Sequence, residues 1–390
     1  MRLLFILTEL PFPASRNGVA LINCELLQNA PPGVRIDLLI TNIEETAVVA
    51  ALRALAPAID RIDFTSEPLS RKYRVGNLMS GILTGRNSFT QAAAARYLKT
   101  NCGRYAAVYV APLMAALDLG LAQPLFLNAV DSFAKLNENA FRRSGKLRDR
   151  IKMWMYRVYE RRCLGAASMV NFVSQADLDS VRQGQPDLPL VNISNGVDSD
   201  LFRPNESRRV PARLLFTGNF DYLPNAQAAR HLALEIFPRI RAAHPGATLQ
   251  IVGRNPPRDI QGLPGVDATG FVDDIAASYQ SADIFVCPLL SGAGVKNKIL
   301  EAMSVGLPII TSPLGVEGIE WVADGEHYLL ADEPQAFADA VGRLLSDPAL
   351  RRKLGANARN VAVTHFSWTP VVARYFQGIV AVAAAGCKTA

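Results

Sequence analysis

The stretch Gly292-Ala293-Gly294-Val295-Lys296-Asn297-Lys298-Ile299-Leu300-Glu301-Ala302-Met303-Ser304-Val305-Gly306-Leu307-Pro308-Ile309-Ile310 reads as a glycine loop and two lysines, followed by a short helix bearing one glutamate. Gly-Leu-Pro and a buried strand come next. The first turn of a helix leaves backbone N–H groups without helical partners and carries partial positive charge, so anions bind there. The glycines let the backbone come close to such an anion, and Lys296 and Lys298 add full charges. Glu301 follows about one turn into the helix, where a carboxylate can accept hydrogen bonds from a pair of sugar hydroxyls. Phosphate at the helix tip and ribose one turn deeper describe a nucleoside diphosphate. Leu300, Met303 and Leu307 share the spacing of a buried face and are read as core. The plainer alternative makes Lys298 and Glu301, three apart, a surface ion pair worth a few tenths of a kcal/mol.

Outward from this stretch, short apolar runs alternate with helical segments along the whole chain. Strands are expected at 3–7, 36–40, 107–110, 125–128, 169–173 and 191–193, and again at 213–217, 248–252, 266–269, 284–287, 309–311 and 328–330. Continuous apolar strands separated by helices imply parallel sheets covered on both faces. The series restarts after the polar Asp198-Ser199-Asp200-Leu201-Phe202-Arg203-Pro204-Asn205-Glu206-Ser207. The expected fold class is therefore α/β, with two Rossmann-like domains at 1–205 and 206–365. A helical segment at 366–390 either closes the second domain or packs back on the first. Ligands of such sheets lie at the carboxyl ends of the strands, here expected in a central cleft.

At 390 residues the chain is long enough for two such domains, and 49% hydrophobic with 19% charged residues is an ordinary globular balance. Five scattered cysteines with no CxxC spacing argue against zinc and against a disulfide framework, and a reducing cytoplasm is the simplest setting. The apolar start is cut short by Glu9 and Pro11, and is read as a buried strand rather than a leader peptide. Net charge is +6, and residues 142–162 hold nine basic residues against two acidic ones, with Trp154, Tyr156 and Tyr159 interleaved. That segment fits either an anionic membrane surface or a solvated helix with its aromatics turned inward. No nucleic-acid module accompanies it, so nucleic acid is not expected as a partner.

Further pieces fall in order after residue 212. Thr217-Gly218-Asn219-Phe220 ends the first strand, and Tyr222-Leu223-Pro224-Asn225 opens a helix. Ile251-Val252-Gly253-Arg254 ends the next strand, and Thr269-Gly270-Phe271-Val272-Asp273-Asp274 another. With the opening stretch, and with Val173-Ser174-Gln175-Ala176-Asp177, Ser194-Asn195-Gly196-Val197-Asp198 and Phe366-Ser367-Trp368, this order resembles the GT-B glycosyltransferases of the retaining family 4 type. The likeness runs over nearly the whole chain and is weakest between residues 40 and 100. It implies transfer of a sugar from a nucleotide diphosphate-sugar donor to a glycan, lipid-linked or small-molecule acceptor, with no cofactor and no metal. It places the ribose on Glu301, the base against Phe271 and Val272, and the diphosphate on Gly294, Val295, Lys296, Asn297 and Lys298. Gly218 and Asn225 follow the first strand of the donor half. In the first domain, Arg16-Asn17-Gly18 is implied as a loop closing over the donor. By position alone, Arg254 either meets phosphate or caps a strand end, and Asp131 points toward the acceptor. The setting implied is the cytoplasmic face of a membrane.

Two departures stand out. The family commonly has a glutamate eight positions before the ribose-binding one, where this chain has Ala293. It also commonly has an Arg and a Lys in the loop after the first strand of the donor half, where this chain has no base between Gly218 and Asn225. A branch of the family shares both features, and Lys296 and Lys298 are expected to take over the missing diphosphate contacts. A nucleotide-sugar epimerase of the same fold, or an inactive nucleotide-binding subunit, are the rival readings.

Overall fold

The computed structural model describes residues 1–11, 18–41, 49–65, 97, 100–112, 124–292 and 294–386. Asn17, Arg16 and Ala293 lie outside them. The chain forms two compact units, Met1–Ser194 with Val371–Ala390, and Asn195–Pro370. The sequence reading drew its boundaries at 205 and 365. Residues 195–205 go with the second unit through specific bonds: Val197 N–H donates to Phe366 O at 2.7 Å, and Ser304 Oγ donates to Phe202 O at 2.7 Å.

The first unit holds a seven-stranded parallel sheet: β1 (Arg2–Leu7), β2 (Arg35–Thr41), β3 (Ile59–Thr65), β4 (Ala107–Ala111), β5 (Leu125–Val130), β6 (Met169–Phe172) and β7 (Leu190–Asn192). Their order is β3-β2-β1-β4-β5-β6-β7. The central strands are largely apolar, and Leu3 to Leu7 are wholly buried, as burial on both faces of a parallel sheet demands. β3 was not anticipated. It carries Asp60, Arg61 and Asp63, and it lies at the sheet edge, where Asp60 pairs with Arg35 and Arg61 with Asp63. Charge on an edge strand discourages pairing with another chain.

A buried polar ladder crosses this unit. Tyr109 OH donates to Asn23 Oδ1 at 3.0 Å, Asn128 Nδ2 to Tyr109 OH at 3.0 Å, and Asn171 Nδ2 to Asn128 Oδ1 at 3.0 Å. Asn171 Nδ2 also lies 3.0 Å from Tyr375 OH, and Arg374 bonds Asn192 O at 2.6 Å. These contacts dock residues 371–386 of the Trp368–Gly386 helix onto the first unit, with Phe126 and Tyr375 rings 6.2 Å apart.

The second unit holds β8 (Arg213–Thr217), β9 (Thr248–Val252), β10 (Val266–Thr269), β11 (Ile284–Cys287), β12 (Ile309–Thr311) and β13 (Leu329–Leu330), in the parallel order β10-β9-β8-β11-β12-β13. Counted within the unit this is 3-2-1-4-5-6, the doubly wound arrangement. The connections reverse direction between β8 and β11. Loops leaving the carboxyl ends of those two strands part there, and a ligand of this architecture binds in the gap. Gly218 follows one of the strands, and the glycine loop follows the other.

Candidate functional site

The Asn297–Val305 helix begins at the end of the glycine loop, and no side chain caps it. Gly292 and Gly294 have φ of 140° and 70°, values at which any side chain would be strained. Asn297 does not serve as a cap: its Oδ1 accepts from Asn195 Nδ2 at 2.8 Å. Ile299 N–H turns back to Lys296 O at 2.8 Å, so the N–H groups that an anion would use at this tip are those of Asn297 and Lys298. Val295 is buried beneath the loop, and Leu300, Met303 and Leu307 are core.

Lys296 is 91% buried and its Nζ bonds the carbonyl of Gly294, so its charge lies within the loop itself. Lys298 Nζ donates to Asn225 Oδ1 at 2.7 Å and sits 4.5 Å from the centroid of the Phe216 ring. Burial pulls the Lys298 ammonium down to about 8 despite the nearby Glu301. Asn225 is held in turn by its Nδ2 bond to Asn219 O at 2.8 Å. A Cβ added to Gly218 would lie 3.0 Å from both Asn225 Nδ2 and Lys298 Nζ, so this glycine keeps the approach open.

Rather than forming an ion pair with Lys298, Glu301 accepts from Tyr279 OH at 2.6 Å. Tyr279 OH also lies 2.6 Å from Thr217 Oγ1. A phenol has one proton, and with that proton given to Glu301 the Thr217 hydroxyl must be the donor to Tyr279. Burial raises the Glu301 carboxyl above its ordinary range, opposed by the Tyr279 bond and by Lys298. Tyr279 is fully buried, stacked on Phe285 at 5.5 Å, so it fixes one carboxylate oxygen rigidly. Sequence reasoning missed Tyr279. It follows Glu301's helix neither in register nor in motif, and only the packing of Ile275–Ser281 beside that helix brings it in.

The remaining residues are spread along the same strand ends. Gly253 has φ of 141°, and a Cβ there would meet Gly218 O at 1.9 Å, so β8 and β9 leave the sheet in contact. Gly253→Ala should cost about 2–3 kcal/mol of stability, visible as a lowered urea midpoint with the slope unchanged. Arg254 is exposed and its carbonyl accepts from Phe220 N–H at 3.0 Å. Phe271 is 67% exposed and Val272 half-buried, and Asp274 caps the helix behind them, accepting from Ala277 N at 3.0 Å. In the first unit, Gly18 opens the Gly18–Gln28 helix and Asp131 is half-buried after β5. Among the described residues, no group of His, Cys, Asp and Glu could hold a metal ion.

Comparisons with known proteins bear on the second unit and on the fold as a whole. Residues 211–347 match the family model described as glycosyl transferases group 1. The phosphatidyl-myo-inositol mannosyltransferase of Mycobacterium tuberculosis is 30% identical over 215 residues, 51% of this chain and 56% of that protein. The chain thus spans little more than half the length of that relative. Among solved structures, Anabaena Alr3699/HepE in complex with UDP superposes with a TM-score of 0.69 at 16% identity, over 98% of this chain and 100% of the other. Sucrose-phosphate synthase from Thermosynechococcus elongatus gives 0.69 at 18%, over 99% and 100%. The likeness establishes the fold: two parallel-sheet α/β domains of the GT-B type.

Proposed function

We propose that the protein is a glycosyltransferase whose second unit binds a nucleoside diphosphate-sugar, and that UDP is the first nucleotide to try. The observation that carries this reading is the pair of clamped charges on one helical turn. Lys298 is held by Asn225, and Glu301 by Tyr279, behind a glycine loop and an uncapped helix N-terminus. The choice of UDP is supported by the UDP in the Anabaena structure of the same fold. The domain match at 211–347 and the mannosyltransferase relative support the activity.

In this mechanism the C1–oxygen bond to the diphosphate breaks as the acceptor oxygen bonds C1 on the same face, with retention. The departing diphosphate oxygen takes the acceptor's proton. Lys296, Lys298 and the helix N–H groups stabilise the charge that develops on the leaving group, which is why no metal is required. Transfer should therefore survive EDTA, and release of UDP should require an acceptor; release or epimerisation without one would reject the transferase reading. Lys296→Ala should weaken UDP binding by about one to two decades, since a charged hydrogen bond contributes about 1.5–3 kcal/mol. Unchanged affinity in isothermal titration would remove Lys296 from the diphosphate site.

A further inference from the structure

The carboxyl end of β5 carries two costs in one turn. The first is backbone strain. Val130 has φ of 69°, a left-handed conformation that a β-branched residue avoids, and the β5–β6 register slips between Asn128 and Val130. Val173 N–H holds the Val130 carbonyl at 3.0 Å. Half-buried Asp131 comes next, one strand from the point where the order reverses between β1 and β4, at the sheet end where ligands of this architecture bind.

The second cost is a buried carboxyl. Ser132 caps the Phe133–Ser144 helix, accepting from Lys135 N–H at 3.1 Å. Glu160 reaches the same tip from the Leu147–Leu164 helix, with Oε2 3.0 Å from Ser132 Oγ and Oε1 accepting from Ala134 N–H at 3.0 Å. Asp177, buried on the Gln175–Gly184 helix, faces it, and Lys135 Nζ lies 3.6 Å from Asp177 Oδ1. On Glu160's own helix, Arg157 is exposed and pairs with Glu138 at 3.1 Å. Burial lifts the Glu160 carboxyl to about 7, helped by Asp177 and opposed by the bonds from Ala134, Ser132 and Phe133. Ser132 lets the contact exist in either state: a carboxylate accepts from its hydroxyl, and a carboxylic acid donates to it. The acid keeps the contact without a buried charge, whereas the ionised form keeps it at the cost of desolvation.

We propose that the Val130–Ser132 turn is a proton-controlled latch: it stays closed while Glu160 is a neutral acid, and opens more often once the carboxyl ionises, relieving Val130 and moving Asp131. Its bearing on an acceptor rests on the transferase reading; the latch itself does not. Opening brings Glu160 to water, where the ordinary 4.5 returns, so between 4.5 and about 7 the closed turn holds more proton than the open one. The stabilisation is therefore fully present below 4.5 and is lost as pH rises through 7.

The test is amide hydrogen exchange of the full, unliganded chain, read by mass spectrometry on peptides covering residues 131–136 and corrected for the intrinsic rate at each pH. Protection should be about tenfold higher at pH 6 than at pH 8, one decade for one pH unit below the midpoint. Peptides from β4 and from the second unit should show no such step. Glu160→Gln keeps the shape without the charge, so its protection should be equal at both pH values and match that of the wild type at pH 6. Flat wild-type protection, protection that rises with pH, or a step that persists in Glu160→Gln would each overturn the latch. So would the same step in every peptide of the first unit, because the proton would then act on the whole unit. With no substrate present, a failed latch leaves the transferase reading standing, and absence of transfer leaves the latch standing.

Discussion

Glu301→Ala should lower UDP affinity by two to three decades without weakening the unliganded fold. A carboxylate that accepts from both ribose hydroxyls makes two charged hydrogen bonds, together about 3–4 kcal/mol once some loss of additivity is allowed. The unliganded protein gains little from the same charge. Burial outweighs the Tyr279 bond and Lys298, leaving the carboxyl above its ordinary range, so the ionised form costs the fold stability. Tm should accordingly hold or rise in the variant, with Thr217 Oγ1 still beside the Tyr279 hydroxyl. Tyr279→Phe isolates the positioning role: the carboxylate stays but is released, and affinity should fall about tenfold. In the double variant the second change should add almost nothing, because Tyr279 acts through Glu301. The losses should also disappear for a 2′,3′-dideoxy nucleoside diphosphate. If the dideoxy ligand lost as much as UDP does, Glu301 would not be reading ribose.

The sheets and the glycine loop were legible in the sequence because they rest on local patterns. Apolar runs of three to five residues marked the central strands, and Gly292, Gly294 and Gly306 marked turns that need positive φ. β3 was not legible, because three charges in seven residues read as loop when the edge position that accommodates them is unknown. The clamps on Lys298 and Glu301 were not legible either. Asn225 lies 73 residues from Lys298, Tyr279 lies 22 from Glu301, and each pair meets only through strand order. The same distance effect hid the C-terminal helix's destination, which turns on Asn171 meeting Tyr375, 204 residues away. Lys298 shows the consequence most sharply: its sequence context announced a charge, whereas its surroundings determine when that charge is present.

UDP affinity should therefore fall by about one to two decades between pH 8 and pH 10, while the unliganded fold gains stability over the same interval. Burial brings Lys298 from the ordinary 10.5 to about 8, so the free protein loses this proton just above neutrality. A diphosphate beside it favours the ammonium, and above pH 8 binding must take up a proton, at a cost of up to about 1.4 kcal/mol per pH unit. The ligand's own phosphate ionisation is complete well below this range. For folding the sign reverses. Below pH 8 Lys298 is protonated in both folded and unfolded chains, and the folded state bears the full desolvation cost. Between 8 and 10.5 the unfolded chain holds more proton than the folded one, so unfolding free energy rises with pH, by on the order of 2 kcal/mol. Lys298→Met separates this group from every other titration in the protein. The ratio of wild-type to variant affinity should fall toward one near pH 10, since ionisation of the uracil N3–H is common to both, and the variant's stability profile should lack the wild-type rise. Two affinity curves running parallel from pH 7 to pH 10 would mean that the ammonium does not touch the diphosphate.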